Sequence, residues 1–224
     1  MTDVYPLRAS HGHLFADIGG RRWLIDTGAS TSFGQGPLVL AGAPMALPER
    51  SLGLDAATLS ALVGSPCDGL LGGDVLNAFD HTLDVPAGTL TVSTAPLPPV
   101  GTVVPLRFLL GVPVVRARVG AFDGAFFLDT GAQLSYFQHY TMPTFTPAGR
   151  FTDFYPGFGT FDVDTVRAPA QIGDASVSLR LGQLPPLMGA ALLLVAGVQG
   201  VLGNEMLQGH RMGYAPRRQE MSLS

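Results

Sequence analysis

Two carboxylates stand at matching places in this 224-residue chain. Asp26 lies in Trp23-Leu24-Ile25-Asp26-Thr27-Gly28-Ala29, and Asp129 holds the same place in Phe126-Phe127-Leu128-Asp129-Thr130-Gly131-Ala132, 103 positions later. Two carboxyls held within about 3 Å cannot both ionise, so they share a proton and one becomes a base while the other stays an acid. A single Asp-Thr-Gly is a common turn sequence. Its recurrence after an apolar run, with the same Ala behind it, marks an internal duplication.

Other reactive side chains offer less. Cys67 is the only cysteine, which excludes an intramolecular disulfide and a multi-thiolate zinc site. With no base near it in sequence, it reads as a small buried hydrophobe and not as a nucleophile. Of the five histidines, only His11 and His13 are close enough to suggest a shared ligand, alternating as on one face of a strand; that spacing is a weak metal signal, and the expectation is no metal.

The elements that must position the two Asp residues repeat as well. Leu14–Ile18 and Val114–Val119 are strand-like runs followed by turn glycines, so a hairpin feeds each Asp. Downstream, Asp68-Gly69-Leu70-Leu71-Gly72 matches Gln199-Gly200-Val201-Leu202-Gly203. Each copy closes on a hairpin pattern, His81–Pro86 into Thr89–Ser93 and His210–Pro216 into Glu220–Ser224. Three prolines make 96–101 an extended connector, which divides the chain into 1–95 and 102–224. Forty-one positions separate Gly28 from Gly69 but 69 separate Gly131 from Gly200, a surplus of 28 in the second half. That surplus contains Asp153–Phe161, aromatic residues around a glycine-rich tip, and reads as a hairpin.

Composition sets the class. Hydrophobic residues make up 46% and charged ones 13%, with 29 Gly and 18 Pro, which suits short strands and tight turns and predicts an all-β fold. A net charge of −4 without a basic stripe excludes a nucleic-acid partner on electrostatic grounds. The longest apolar stretch, Leu187–Val198, is shorter than the roughly 20 residues a membrane span needs, so no membrane partner is expected and the stretch reads as buried core. No secretory signal is visible, which makes the cytoplasm the default compartment.

Two Asp-Thr-Gly-Ala elements, each followed by a hydrophobic-hydrophobic-Gly element, resemble the aspartic peptidases of the pepsin and retropepsin type. The resemblance covers both halves and looks like two retropepsin-sized lobes fused in one chain. It implies a two-lobed pepsin-like acid protease fold with pseudo-twofold symmetry, each lobe a retropepsin-like closed barrel. It further implies a catalytic pair Asp26 and Asp129, supported by Thr27, Gly28, Ala29, Thr130, Gly131 and Ala132, with each Thr locking one loop to the other lobe's backbone. The hydrophobic-Gly elements would scaffold the loops from behind. The activity implied is endopeptidase cleavage of a polypeptide substrate, with apolar residues favoured at the cut. Water between the carboxylates is the nucleophile, so no cofactor is required, and fusion of the lobes leads us to expect a monomer.

The chain departs from pepsins in three ways. The residue after each glycine is Ala, not a hydroxyl donor to the carboxylate, which predicts a mildly acidic optimum of about pH 5–7. No Tyr-Gly-Thr-Gly tip is present. The flap-like hairpin belongs to the second half, with Tyr155, Gly157, Phe158 and Gly159 as substrate-binding candidates, and the shorter interval of the first half leaves no room for one. Two rival readings remain, a catalytically silent pepsin-fold module that binds peptides or regulates, and an assembly protein that uses its strand edges. Retention of both Asp residues with their Thr and Gly favours the enzyme.

Overall fold

The structure, a computed structural model, describes residues 1–139, 142–155, 158–191 and 196–224. Within these the chain is mostly β-strand, in agreement with the all-β expectation. Strands β1 (Thr2–Ser10), β2 (His13–Ile18) and β3 (Arg21–Ile25) form an antiparallel meander that ends at Asp26. After β4 (Phe33–Gly34) come two tight hairpins, β5 (Leu38–Leu40) with β6 (Ala43–Met45), and β7 (Arg50–Ser51) with β8 (Leu54–Asp55). Helix α1 (Ala56–Val63) starts where the Asp55 carboxylate accepts from the Thr58 N–H and stops at Gly64, which takes the left-handed conformation. Strand β9 (Gly69–Leu71), the turn α2 (Gly73–Leu76) and the hairpin β10 (Asp80–Asp84) with β11 (Thr89–Ser93) complete the first half.

The second half repeats this order with a longer insert. Strands β12 (Thr102–Leu109), β13 (Val112–Val119) and β14 (Phe122–Leu128) lead to Asp129. Then come β15 (Ser135–Phe137), the long strands β16 (Thr146–Tyr155), β17 (Gly159–Ile172) and β18 (Ala175–Gly182), helix α3 (Pro186–Ala191), β19 (Gly200–Leu202) and the closing hairpin β20 (Arg211–Ala215) with β21 (Glu220–Leu223). Period-two alternation explains the strands: in β17, Val166, Ala168, Ala170 and Ile172 face the core, and Arg167, Pro169 and Gln171 between them are exposed.

Six strands, in the order β1-β11-β10-β20-β21-β12, join the halves through the β10–β20 pair. β1 and β12 each change partner midway, from β11 to β2 and from β21 to β13. Pro6 and Pro105 sit at these switches, where a missing N–H costs least. One apolar core runs through both halves and includes Trp23, Leu71, Phe126, Leu202 and Tyr214. Asp80 is screened from solvent and is held by Arg217 and Arg218 from the other half. The proline-rich connector is pinned, not free: Leu97 N–H donates to Asp80 Oδ2 (3.0 Å) and Val100 N–H to Ser222 Oγ (3.0 Å).

Four expectations need correction. The shorter Gly28–Gly69 interval does hold hairpins, two tight ones, because Ala41-Gly42 and Leu52-Gly53 turn with positive φ at both positions. His11 and His13 do not share a strand face: His11 is in the β1–β2 turn (φ 47°) and exposed, whereas His13 begins β2 and is buried. Leu187 is exposed and α3 buries only Gly189, so apolarity alone did not place this stretch in the core; residues 192–195 lie outside the described residues. Cys67 is only half-buried, and burial, opposed by a hydrogen bond from Ser60, holds its thiol pKa up.

Candidate active site

Each Asp leaves a strand that is paired on both sides. β3 runs antiparallel to β2 and parallel to β9, and β14 runs antiparallel to β13 and parallel to β19. The ladder continues into the Asp residues, whose N–H groups donate to Leu71 O (3.0 Å) and Leu202 O (2.9 Å). After the turn the chain returns as β4 or β15, antiparallel to the far side of β9 or β19. Gly69 and Gly200 permit this crossing, because a methyl on either would run into the Phe33 or Tyr136 carbonyl.

The two turns then lock together. Thr27 Oγ1 donates to Leu128 O (2.7 Å) and accepts from Thr130 N–H (3.0 Å); Thr130 Oγ1 donates to Ile25 O (2.8 Å) and accepts from Thr27 N–H (3.1 Å). Both threonines are buried, so all four bonds form out of water, where an unpaired group costs about 1–3 kcal/mol. Within each loop two N–H groups hold one carboxylate oxygen. Gly28 and Ala29 reach Asp26 Oδ1 (both 2.9 Å), and Gly131 and Ala132 reach Asp129 Oδ1 (3.0 and 3.1 Å).

The carboxyls face one another at the centre, each acting on the other's pKa. Each also lies against the opposite glycine, so a methyl on Gly28 would overlap the Asp129 carboxyl and one on Gly131 that of Asp26. Burial raises the pKa of both. The charge of Asp129 raises Asp26 further, to well above the usual carboxylate range. At Asp129 the Ala132 N–H, the Asp26 carboxyl and the Gly131 N–H work against burial, in that order, without cancelling it. Such a pair can activate a water and polarise a carbonyl at once.

Three supports were not singled out in the sequence. Ser32 and Ser135, each six positions after an Asp and fully buried, accept from Gly72 N–H (2.8 Å) and Gly203 N–H (2.9 Å). Extending the repeat past Ala29 and Ala132 would have found them. The third is a pair of turns. The β1–β2 turn docks on the second Asp loop, with Gly12 O accepting from Asn204 (2.8 Å), and the β12–β13 turn docks on the first, with Gly111 O accepting from Asn77 (2.9 Å). Behind the second loop, His13 Nδ1 is 2.9 Å from Gly131 O and its Nε2 is 2.6 Å from Gln133 Nε2.

The surplus of the second half is the β16–β17 hairpin, Tyr155 pairing with Gly159 at its end. Tyr155 and Phe158 are exposed there, Phe158 packing edge-on to Phe161 (5.9 Å between centroids), while Gly157 lies outside the described residues. The hairpin touches both halves. Phe154 packs on the first half's cluster of Phe15, Phe33 and Leu70, beside Ala29 and Leu54, and Asp153 accepts a hydrogen bond from Tyr136 next to the second Asp loop. Among the described residues no group of three His, Cys, Asp or Glu is placed to hold a metal, and no helix is long and apolar enough to cross a membrane. Comparison with protein-family models and with curated proteins finds no match.

Proposed function

We propose that the chain is an aspartic endopeptidase of the pepsin and retropepsin type, with two retropepsin-like barrel lobes sharing one site. The carrying observation is the pair Asp26 and Asp129, facing carboxyl to carboxyl and fixed by the reciprocal Thr27–Thr130 bonds. In this reaction the ionised carboxylate takes a proton from the bound water, whose oxygen attacks the scissile carbonyl carbon. The protonated partner gives its proton to the carbonyl oxygen. Collapse of the tetrahedral species breaks the C–N bond, with the first carboxyl protonating the leaving amine and the second taking back a hydroxyl proton as the carbonyl re-forms. An extended polypeptide would lie under the β16–β17 hairpin, pairing with its backbone, with apolar side chains against Phe154, Tyr155 and Phe158. One chain supplies both carboxyls, so the working unit is a monomer.

The test is digestion of a diverse peptide pool between pH 3 and 8, with and without a statine-type inhibitor. Cleavage that the inhibitor blocks, strongest between about pH 5 and 7, is the expected result. A well-folded protein that cuts nothing at any pH would favour the peptide-binding module instead.

A further inference from the structure

The two Asp loops share their motif but not what stands behind them. The Gly131–Ala132 peptide has an N–H that donates to Asp129 Oδ1 (3.1 Å) and a carbonyl that faces His13 Nδ1 (2.9 Å). A carbonyl oxygen only accepts, so Nδ1 carries the ring proton and Nε2 is left to accept from the Gln133 amide (2.6 Å). The ring is therefore the neutral Nδ1–H tautomer, and its burial next to the loop favours the neutral state by lowering its pKa. The bonds run in one direction: Gln133 N–H to His13, His13 N–H to Gly131 O, Ala132 N–H to Asp129. Aligned donors polarise one another, so a donor at one end of a peptide strengthens the N–H at the other.

The first loop lacks this device. Ser30 stands where the second loop has Gln133, and Val112, which opens β13 after the Leu110-Gly111 turn, stands where β2 opens with His13. Valine has no side-chain donor. From the hydrogen-bond chain and its absence in the other half, we infer that His13 is a positioning residue for the acid–base pair, strengthening the Ala132 donor so that Asp129 carries the charge and Asp26 the shared proton. In the peptidase reaction proposed above, Asp129 is then the base that takes the proton from water and Asp26 the acid that protonates the carbonyl oxygen. This assignment rests on that reading, but the bonding argument does not.

The charged and titratable groups that face this chain are Asp26, Asp153 and Tyr136 on the Asp129 side, and Asp153 and His11 around His13. Asp153 acts on both in the same sense, raising each pKa, and it is present whether or not His13 is. A variant at His13 therefore reads the hydrogen bond against a constant background. Protonation of His13 itself would leave Nδ1–H in place and require the Gln133 amide to turn its oxygen toward Nε2.

Three proteins test the inference: wild type, His13→Val, which copies Val112, and His13→Asn, whose amide can still donate to Gly131 O. Carbon-detected titration of the two carboxyls, assigned with Asp26→Asn and Asp129→Asn, gives a readout that needs no activity. In His13→Val the lower of the pair's two apparent pKa values is expected to rise by about half a unit to one unit, in the range that the loss of one polarising donor allows. His13→Asn should restore most of it. Where peptides are cut, the acid limb of the kcat/KM profile should move up by the same amount in His13→Val. An unmoved carboxyl titration in folded His13→Val overturns the role of His13, as does an equal shift in His13→Asn. Absence of cleavage with a titration that moves as expected would count against the peptidase reading alone.

Discussion

The first and second Asp loops share the strand, the Asp-Thr-Gly-Ala turn and a buried serine six residues after the Asp, and differ between and around these. Both have the parallel strand beside them, the exchanged threonine bonds, two N–H donors on one carboxylate oxygen and a buried serine behind. The first then has Ser30, Val112 and two tight hairpins; the second has Gln133, His13 and the long β16–β17 hairpin. The likeness brings two equal carboxyls together. The difference sets the two loops in unequal surroundings, which the proposed reaction, needing one acid and one base, would use.

The glycine pair is the strongest test of the likeness. Gly28→Ala and Gly131→Ala each push a methyl into the opposite carboxyl, and a displacement of about 1 Å at reacting groups costs roughly 100-fold. Both variants should lose at least that much kcat with circular dichroism unchanged; a silent variant in one half would break the symmetry.

Thr27→Val and Thr130→Val come next. Each removes one donor and strands two buried backbone groups, at about 1–3 kcal/mol apiece. Denaturant unfolding should show losses of about 2–6 kcal/mol that agree between the two variants, and a clear inequality would mean that the loops do not depend on one another equally.

The closing hairpins carry a matched pair of histidines in different settings. His81 is fully buried, its Nε2–H donating to Leu76 O (2.7 Å), and burial lowers its pKa to about 4; His210 lies at the surface end of the other copy. A group whose folded pKa is depressed stabilises above its unfolded pKa, near 6.5, and that contribution is lost as pH falls toward 4. Wild-type stability should drop by about 2–3 kcal/mol between pH 7 and 4 from this source. His81→Gln should flatten the drop, as read from unfolding midpoints.

The smallest expected effects lie at the hairpin tips. Tyr155→Ala and Phe158→Ala are exposed changes and should move stability by no more than about 0.5 kcal/mol, while raising KM a few-fold. Leu52→Ala, at the tip of the first half's β7–β8 hairpin, should leave KM as it is. Equal KM effects from Leu52 and Phe158 would mean that both halves cover the cleft.

What was legible in the sequence was local. Asp26 and Asp129 stood out because the same residues recur in the same order, and β13 or β17 because alternation is a period-two signal that burial enforces. The reversals had physical causes. Ser10-His11-Gly12-His13 looks like alternation, but positive φ at His11 and Gly12 turns the chain between the two histidines. Leu187 is apolar yet exposed, since hydropathy does not report which surface a neighbour covers. The bond from His13 to Gly131 spans 118 positions, and nothing in either segment announces the other.

The central claim is that Asp26 and Asp129 of one chain form a single hydrolytic pair. It is tested most directly by the rate of cleavage of one susceptible peptide by wild type, Asp26→Asn, Asp129→Asn and an equimolar mixture of the two variants. The account expects cleavage by wild type, none above background by either variant, and none by the mixture. Cleavage retained by either variant would contradict the shared pair, and cleavage restored on mixing would contradict a site complete within one chain.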